Sequence, residues 1–152
     1  MGLIAQIKSW RDRRHQIIQL EHEINGYWDE FNHYVKKNEL VDGTEPYEQV
    51  WSEYSSYREI PESQRDQLLT MSSVQKAYLW GIPLPAQPSR GDYSNEHWQW
   101  NRVTNRYSLT MAGHRYIRHE VSIERDIKYR PMLSWAAIGI SFFSLAVSVL
   151  KP

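Results

Sequence analysis

Two short stretches of the sequence place carboxylates and histidines at spacings used for metal binding. Glu30 and His33 form a Glu-x-x-His element, which supplies two ligands from one helix face in carboxylate-bridged di-metal bundles. Such a centre needs a second copy of the element and two further glutamates that face inward. Asp12 and His15 are the nearest imitation, and two arginines lie between them, where they would repel a metal cation. We therefore expect no metal ion and no other cofactor.

Nucleophilic and phosphate-handling chemistry lacks its usual motifs in these 152 residues. The chain has no Gly-x-Ser-x-Gly turn and no glycine-rich phosphate loop. It also has no cysteine, which excludes thiol nucleophiles, zinc-thiolate sites and disulfides. Catalytic residues can be scattered along a chain, but no serine or carboxylate pair stands out. The sequence predicts a protein that is not an enzyme, and no small-molecule substrate is evident.

The residues from Met132 to Leu150 form the most distinctive segment of the chain. These nineteen residues carry no charge, and they follow Pro131 and precede Lys151. As a helix they would be roughly 28 Å long, which is about the thickness of the hydrocarbon layer of a bilayer. The alternative is a buried core helix of a soluble protein. We expect a single transmembrane helix here.

More basic residues precede this segment than follow it, since Lys128 and Arg130 lie before it and only Lys151 lies after it. This difference predicts the orientation of the segment. The start of the chain has only a short apolar run, broken by Lys8, and no cleavage site follows it. We therefore expect a single-pass protein of the inner (cytoplasmic) membrane, inserted after synthesis, with a cytoplasmic N-terminus. The membrane-proximal basic residues can contact anionic headgroups of the lipid bilayer, or they can simply set topology and pair with neighbouring acids. These residues are Arg115, Arg118, Arg125, Lys128 and Arg130.

Small residues recur along one face of the predicted membrane helix. In lipid, small side chains let helices approach closely, and hydroxyls can bond across the contact. The alternative is that each serine bonds to the carbonyl four residues before it in its own helix. The predicted packing face consists of Ser134, Ala137, Ser141, Ser144 and Ser148.

A long helix is predicted at the start of the chain, from Leu3 to Asn38. Apolar and aromatic residues alternate there at spacings of three and four, and a second adjacent stripe widens the apolar face. Asn25-Gly26 could split the run into a helical hairpin, but we expect one helix that tolerates the glycine. The predicted association stripe consists of Leu3, Ile7, Trp10, Ile17, Ile24, Trp28, Phe31 and Val35.

Two shorter helices and a hairpin are predicted to follow. The first helix has an aromatic face and an acidic face and should end at Ile60-Pro61, because the residue before proline is pushed out of the helical region. The second runs from Ser63 to Trp80, and its predicted buried set is Leu68, Leu69, Met71, Val74, Tyr78 and Leu79. A proline-rich connector spans residues 81–96. Residues 97–100 and 106–109 should then pair as a hairpin, Thr110 should cap a last helix to Arg130, and Pro131 should mark its junction with the membrane helix.

Part of this C-terminal half resembles the wing of winged-helix regulators. Residues 107–113 read Tyr-Ser-Leu-Thr-Met-Ala-Gly and match the Tyr-x-Leu-Thr-x-x-Gly turn that follows such a wing. The resemblance implies that Arg102 and Arg106 contact phosphates. A recognition helix should precede the wing, whereas the proline-rich connector occupies that place here. We therefore do not expect a nucleic-acid partner.

Residues 78–150 as a whole resemble small uncharacterised bacterial membrane proteins with a helical cytoplasmic domain and one C-terminal transmembrane helix. The resemblance is carried by Ile-Pro-x-Pro at 82–85, Leu-Thr-x-x-Gly at 109–113, the charged stretch at 115–130 and the hydrophobic tail. It implies an architecture and a bacterial membrane setting. It implies no activity.

The fold class that follows is mainly α, with one small β-hairpin and one C-terminal transmembrane helix. The predicted regions are a helical cytoplasmic part (1–80), the connector (81–96), the hairpin with a juxtamembrane helix (97–130) and the membrane tail (131–152). The 17 tyrosines and tryptophans exceed what so small a chain can bury, so some should line a contact surface.

These features predict a tail-anchored, non-enzymatic adaptor or assembly component, which binds a second copy of itself or another membrane protein. One alternative is an effector of a host-defence or toxin-like system whose clustered tails perturb the bilayer. A second alternative is a membrane-tethered, winged-helix-like DNA-binding regulator.

Overall fold

Within the residues that it describes, the computed structural model contains three helices and a two-stranded antiparallel hairpin. The structure describes residues 3–89 and 92–150, and the side chains of 8–89, 92–131, 134, 135 and 137–141. The elements are α1 (Leu3–Lys37), α2 (Glu45–Trp80), β1 (Trp98–Asn101), β2 (Arg106–Leu109) and α3 (Met111–Leu150). The prediction of a mainly helical chain with one small hairpin is confirmed.

Helix α1 is continuous through Gly26, so the prediction of one long helix is confirmed. It ends where Glu39 adopts a left-handed conformation (φ 51°) and the Leu40 N–H donates to the Val35 carbonyl at 3.0 Å. This bond satisfies a carbonyl that the end of the helix would otherwise leave free. A tight turn then reverses the chain, and α2 packs antiparallel to α1.

Helix α2 passes through Pro61, and the prediction that Ile60-Pro61 ends a helix is wrong. Proline removes one helical hydrogen bond and crowds the preceding turn. Here Pro61 is buried, Trp51 and Tyr54 before it pack against Phe31 of α1, and residues after it are also buried. The ion pair between Arg58 and Glu62 also bridges the proline within the helix. Tertiary packing therefore outweighs the local preference.

The buried face of α2 differs from the predicted one. Met71, Tyr78 and Leu79 are exposed, with 49%, 71% and 71% of their surface accessible, whereas the buried residues are Ser63, Thr70 and Ala77 in addition to Pro61. Ser63, Thr70 and Ala77 repeat every seven positions, so they lie along one line of the helix. Their small side chains let the hairpin and α3 approach the α2 backbone closely.

The main core lies where α2, the connector, the hairpin and α3 meet. The described residues of the connector form no helix; Ile82 is buried, and the Pro85 carbonyl accepts a 2.9 Å hydrogen bond from Trp98 Nε1. The connector therefore forms one wall of the core and is more than a spacer. The buried cluster consists of Ala77, Ile82, Trp98, Leu109, Ile117 and Val121.

The hairpin pairs Trp98 with Leu109 and Asn101 with Arg106, within one residue of the predicted strand boundaries. Two hydrogen bonds attach it to its neighbours. The Leu109 N–H donates to Thr70 Oγ1 at 2.9 Å, and Thr110 Oγ1 accepts from the Gly113 N–H at 3.1 Å. The second bond is an N-cap, so the prediction that Thr110 begins the last helix is confirmed.

Helix α3 runs from Met111 to Leu150, so it passes Arg130, the predicted end of the last helix, and continues through Pro131. Pro131 lies at an exposed position, and Ile127, whose carbonyl loses its hydrogen bond to the proline, is 61% exposed. That carbonyl can be solvated, which lowers the cost of keeping the proline inside the helix. One continuous backbone therefore connects the core to the uncharged C-terminal segment.

Candidate interaction surfaces

An aromatic cluster joins the second half of α1 to the first half of α2. Phe31 is buried at its centre, and the centroids of four neighbouring rings lie 5.3–5.8 Å from its own. Such edge-on contacts add to the free energy gained from burial alone. The Arg58 guanidinium lies 4.3 Å from the centroid of the Trp28 ring in a cation–π contact. The four rings belong to Trp28, Tyr47, Trp51 and Tyr54.

The predicted association stripe of α1 is largely used within the chain. Ile24 and Phe31 are buried, and Trp10 is 57% exposed. The half-buried members are Ile17, Trp28 and Val35, whereas the side chains of Leu3 and Ile7 lie outside the described residues. A second copy could reach the buried members only if α1 and α2 separated. Self-association through this stripe stays a prediction.

Beside the aromatic cluster, α1 and α2 form a groove of about 370 Å³. We call it the tyrosine–glutamate groove; it is lined by Tyr27, Glu30, Tyr34, Val50, Glu53, Tyr54 and Tyr57. Tyr34 and Tyr57 are exposed, whereas Tyr27 and Tyr54 are half-buried. The two carboxylates form no salt bridge among the side chains that the structure describes. Tyrosine rings whose hydroxyl groups are solvated are typical of protein contact surfaces.

Ring stacking and one hydrogen bond set the shape of this groove. The Tyr27 and Tyr57 rings stack with centroids 6.2 Å apart and an angle of 21° between their planes. The Tyr57 hydroxyl donates to Glu53 at 3.2 Å, and this bond together with the carboxylate charge raises the pKa of Tyr57. The groove therefore presents neutral rings and negative carboxylates, a combination that favours a positively charged partner.

A serine and a histidine between α2 and α3 resemble part of a catalytic triad. Ser73 Oγ and His114 Nδ1 are 2.9 Å apart between α2 and α3. Burial lowers the pKa of His114, the Arg118 charge lowers it further, and Asp66 acts in the opposite direction. A nucleophile also needs donors for the developing oxyanion. Ser73 lies inside α2, where the neighbouring backbone N–H groups are already bonded within the helix. The pair is therefore a link between helices.

A second link joins the turn of the hairpin to α2. The Arg102 guanidinium donates to both carboxylate oxygens of Glu59, at 2.7 and 2.8 Å. These hydrogen bonds lower the pKa of Glu59 and raise that of Arg102. Arg102 would have to leave Glu59 before it could contact a phosphate, as the winged-helix resemblance implies, whereas Arg106 is exposed.

The five basic residues of α3 that the sequence predicts to lie near a membrane are all exposed, namely Arg115, Arg118, Arg125, Lys128 and Arg130. Lys128 Nζ lies 5.6 Å from the Trp80 ring centroid, and the Tyr129 ring centroid lies 6.2 Å from it. These contacts place this stretch of α3 beside the end of α2.

The predicted packing face on the last part of α3 is described only in part. Ser134, Ala137 and Ser141 are exposed, whereas the side chains of Ser144 and Ser148 lie outside the described residues. Ser134 and Ser141 donate to the carbonyls four residues before them, at 3.1 and 2.9 Å, which is the geometry of the alternative interpretation. Within the residues that the structure describes, none of the helices has a stretch that is both long and apolar enough to span a bilayer.

Comparisons with known proteins return no relative. No protein-family model matches the chain, and searches of curated proteins and of solved structures find no similar protein. Both resemblances noted from the sequence therefore stay predictions.

The sequence contained signals for both halves of the tyrosine–glutamate groove. Tyr27 and Tyr34 belong to the second stripe of α1, and Glu53 belongs to the acidic face predicted for the helix that follows. The sequence did not indicate that these two faces lie side by side, because that depends on how α1 and α2 pair.

Proposed function

We propose that this chain is a non-enzymatic adaptor, anchored to a membrane by its C-terminal segment, which binds a protein partner through the tyrosine–glutamate groove. The observation that carries the proposal is the groove itself. Tyr34 and Tyr57 are 44% and 52% exposed, and they lie beside two carboxylates that lack cationic partners among the described side chains. Exposed aromatic side chains of this kind favour a contact surface, because a partner removes apolar surface from water when it binds them.

The character of the groove favours a protein partner over a small substrate. Pockets for small molecules usually enclose most of the ligand surface, whereas this groove follows an open seam between two helices. Its polar groups are two glutamates and four phenols, without a positioned base and nucleophile. These features suit the reversible docking of a positively charged protein segment.

Anchoring is supported by the uncharged stretch from Met132 to Leu150, together with the helical backbone of α3 through this region. The groove lies far from that segment. From Tyr54 to Trp80, where α2 meets α3, 26 residues of helix correspond to roughly 39 Å. An anchored chain would therefore present the groove well away from the bilayer. A tethered partner would meet it at a raised effective concentration.

Site-specific photo-crosslinking in living cells tests the contact surface. The crosslinking amino acid replaces Tyr34, which lines the groove, or Asn32, which is exposed elsewhere on α1. We expect an adduct from position 34 and none from position 32. An adduct of twice the mass of the chain would identify a second copy as the partner, and another mass would identify a different protein. Equal adducts at both positions, or none at 34, would contradict the proposal.

A carbonate wash of the isolated membranes tests the anchor separately. A transmembrane segment should stay in the membrane pellet at alkaline pH, whereas a peripherally bound chain should be released. Recovery of the chain in the supernatant would overturn the anchoring but would leave the groove contact to be judged by the crosslinks.

A further inference from the structure

Segments of α1 and α3 each lie beside the C-terminal end of α2. Arg13 Nη1 on α1 donates to Gln75 Oε1 on α2 at 2.8 Å. Because the two helices are antiparallel, Trp10 lies level with Tyr78. Lys128 and Tyr129 of α3 contact Trp80 at the same end of α2. We call this the basic–aromatic end, and it comprises residues 8–14, 78–80 and 128–130.

The basic–aromatic end exposes large aromatic and apolar side chains next to positive charges. Tyr78 and Leu79 are each 71% exposed, Trp10 is 57% exposed and Tyr129 is 45% exposed. Residues 8–14 contain four basic groups and one acidic group, and Lys128 and Arg130 add two more positive charges. A cluster of exposed large apolar side chains rimmed by polar residues is typical of surfaces that bind a partner or a membrane.

The opposite end of the α1–α2 pair carries the reverse charge. Five carboxylates, at Glu39, Asp42, Glu45, Glu48 and Glu53, accompany two lysines there. The chain is neutral as a whole, so its charges are separated along the length of the helices. A surface that attracts one end will repel the other.

We infer that the basic–aromatic end lies on an anionic lipid surface. Aromatic rings mixed with lysine and arginine are the composition that proteins present to the headgroup region of a bilayer. The uncharged segment also begins at Met132, two residues beyond Arg130 in the same helix. This inference rests on the proposed anchoring, because an anchored α3 brings Lys128 to Arg130 to the level of the headgroups. The structure then brings α1 and the end of α2 to the same level.

Contacts from α1, α2 and α3 would also limit how the domain tilts. A chain held by α3 alone could lean freely, whereas contacts at Lys8, Leu79 and Lys128 restrict it in two directions. The acidic end, and the tyrosine–glutamate groove near it, would then point away from the bilayer.

Spin labels on single cysteines test this arrangement in the full chain, which contains no natural cysteine. Leu79→Cys places a label at the basic–aromatic end, and Asn32→Cys places one on an exposed position at the opposite end of α1, outside the groove. The chain is reconstituted into vesicles of phosphatidylcholine with phosphatidylglycerol. We expect the label at position 79 to gain accessibility to oxygen and to lose accessibility to a water-soluble nickel complex, while position 32 stays accessible to the nickel complex.

A pair of charge variants tests the role of the basic residues. Replacing Lys8 and Arg11 with glutamine should restore nickel accessibility at position 79, whereas replacing Lys36 and Lys37 at the other end of α1 should not. Equal protection in vesicles of phosphatidylcholine alone would overturn the requirement for anionic lipid.

The remaining outcomes separate this inference from the proposed anchoring. If carbonate washes the chain from the vesicles, the anchoring fails and this inference fails with it. If the chain stays but the nickel complex reaches position 79, only this inference is overturned. If neither oxygen nor the nickel complex reaches the label at position 79, protein covers the surface, and that result would also overturn the inference that this end lies on lipid.

Discussion

Gly113 provides the sharpest test of how α3 packs against the hairpin. A Cβ atom at this position would lie 2.4 Å from the His97 carbonyl oxygen and 2.8 Å from Leu109 Cδ2. The leucine side chain can move, but the carbonyl is fixed because it accepts a 3.0 Å hydrogen bond from the Thr110 N–H. Gly113→Ala therefore has to displace the first turn of α3 from the hairpin.

The expected cost combines two opposing effects. Overpacking a core contact typically costs about 1–3 kcal/mol, and the upper value applies here because the nearest obstacle is backbone. Alanine recovers about 1 kcal/mol over glycine inside a helix. The net loss is about 2 kcal/mol, which lowers the Tm of a chain of this size by about 4–8 °C.

Gly26→Ala is the matched control, because nothing lies within 4 Å of the added methyl group. Only the helix preference acts there, so this variant should gain about 1 kcal/mol, or about 2–4 °C in Tm. The thermal unfolding of both variants and of the parent chain is monitored by circular dichroism in the same detergent. If Gly113→Ala unfolds at or above the parent temperature, the close contact with His97 does not exist. If both variants shift in the same direction, the packing argument fails.

Three further predictions concern the aromatic cluster and the two links between elements. Phe31→Ala should lower the free energy of unfolding in urea by about 3–5 kcal/mol, whereas Tyr34→Ala should change it by less than about 1 kcal/mol, and equal losses would contradict the burial of Phe31. Burial of the ring is the main cause that holds the pKa of His114 below its ordinary value of 6.5, and the Arg118 guanidinium adds to this effect. The folded state therefore favours the neutral ring, so its contribution to stability is complete above pH 6.5 and is lost as the pH falls through the folded pKa. Unfolding titrations of His114→Gln should lack this loss, and an unchanged pH profile would show that another group causes it. Glu59→Gln should speed hydrogen exchange in the hairpin turn around Arg102 at low salt but little at high salt, because an exposed ion pair is screened. A difference that persists at high salt would mean that the pair acts through packing.

Those parts of the fold that rest on local signals could be predicted from the sequence. The three–four alternation of α1 extends on both sides of Gly26, and the cost of one glycine is small against so many helical turns. The hairpin and the Thr110 cap also depend on residues close together in the sequence. Each of these predictions is confirmed because local preference and tertiary packing agree.

The two errors in α2 have a common physical origin. Pro61 was expected to end a helix on local steric grounds, and Met71 was expected to be buried on grounds of hydropathy. Both rules ignore the fact that α2 packs against α1 on one side and against the hairpin and α3 on another. The face towards α3 and the hairpin uses Thr70 and Ala77, whose small size permits close approach. A hydropathy pattern does not identify such small residues as buried.

The candidate surfaces could be predicted only in part, because the sequence does not show which segments become neighbours in space. Charge counted over residues 1–40 is balanced, with six basic and six acidic groups, which conceals the basic cluster at residues 8–14. The meaning of that cluster depends on its neighbours in space. The Arg13–Gln75 hydrogen bond shows that it lies beside the end of α2. Pairing across more than sixty residues leaves no local trace in a single sequence.

The two proposed surfaces depend on different contacts and should therefore be separable. The groove depends on the aromatic cluster around Phe31, whereas the basic–aromatic end depends on Arg13 and on the packing of α3 beside Trp80. Phe31→Ala should then reduce the crosslink from position 34 while the label at position 79 stays protected from nickel. If Phe31→Ala both reduces the crosslink from position 34 and lets the nickel complex reach the label at position 79, α1 detaches as a unit. In that case a single packing interaction controls partner binding and the position of the domain on lipid.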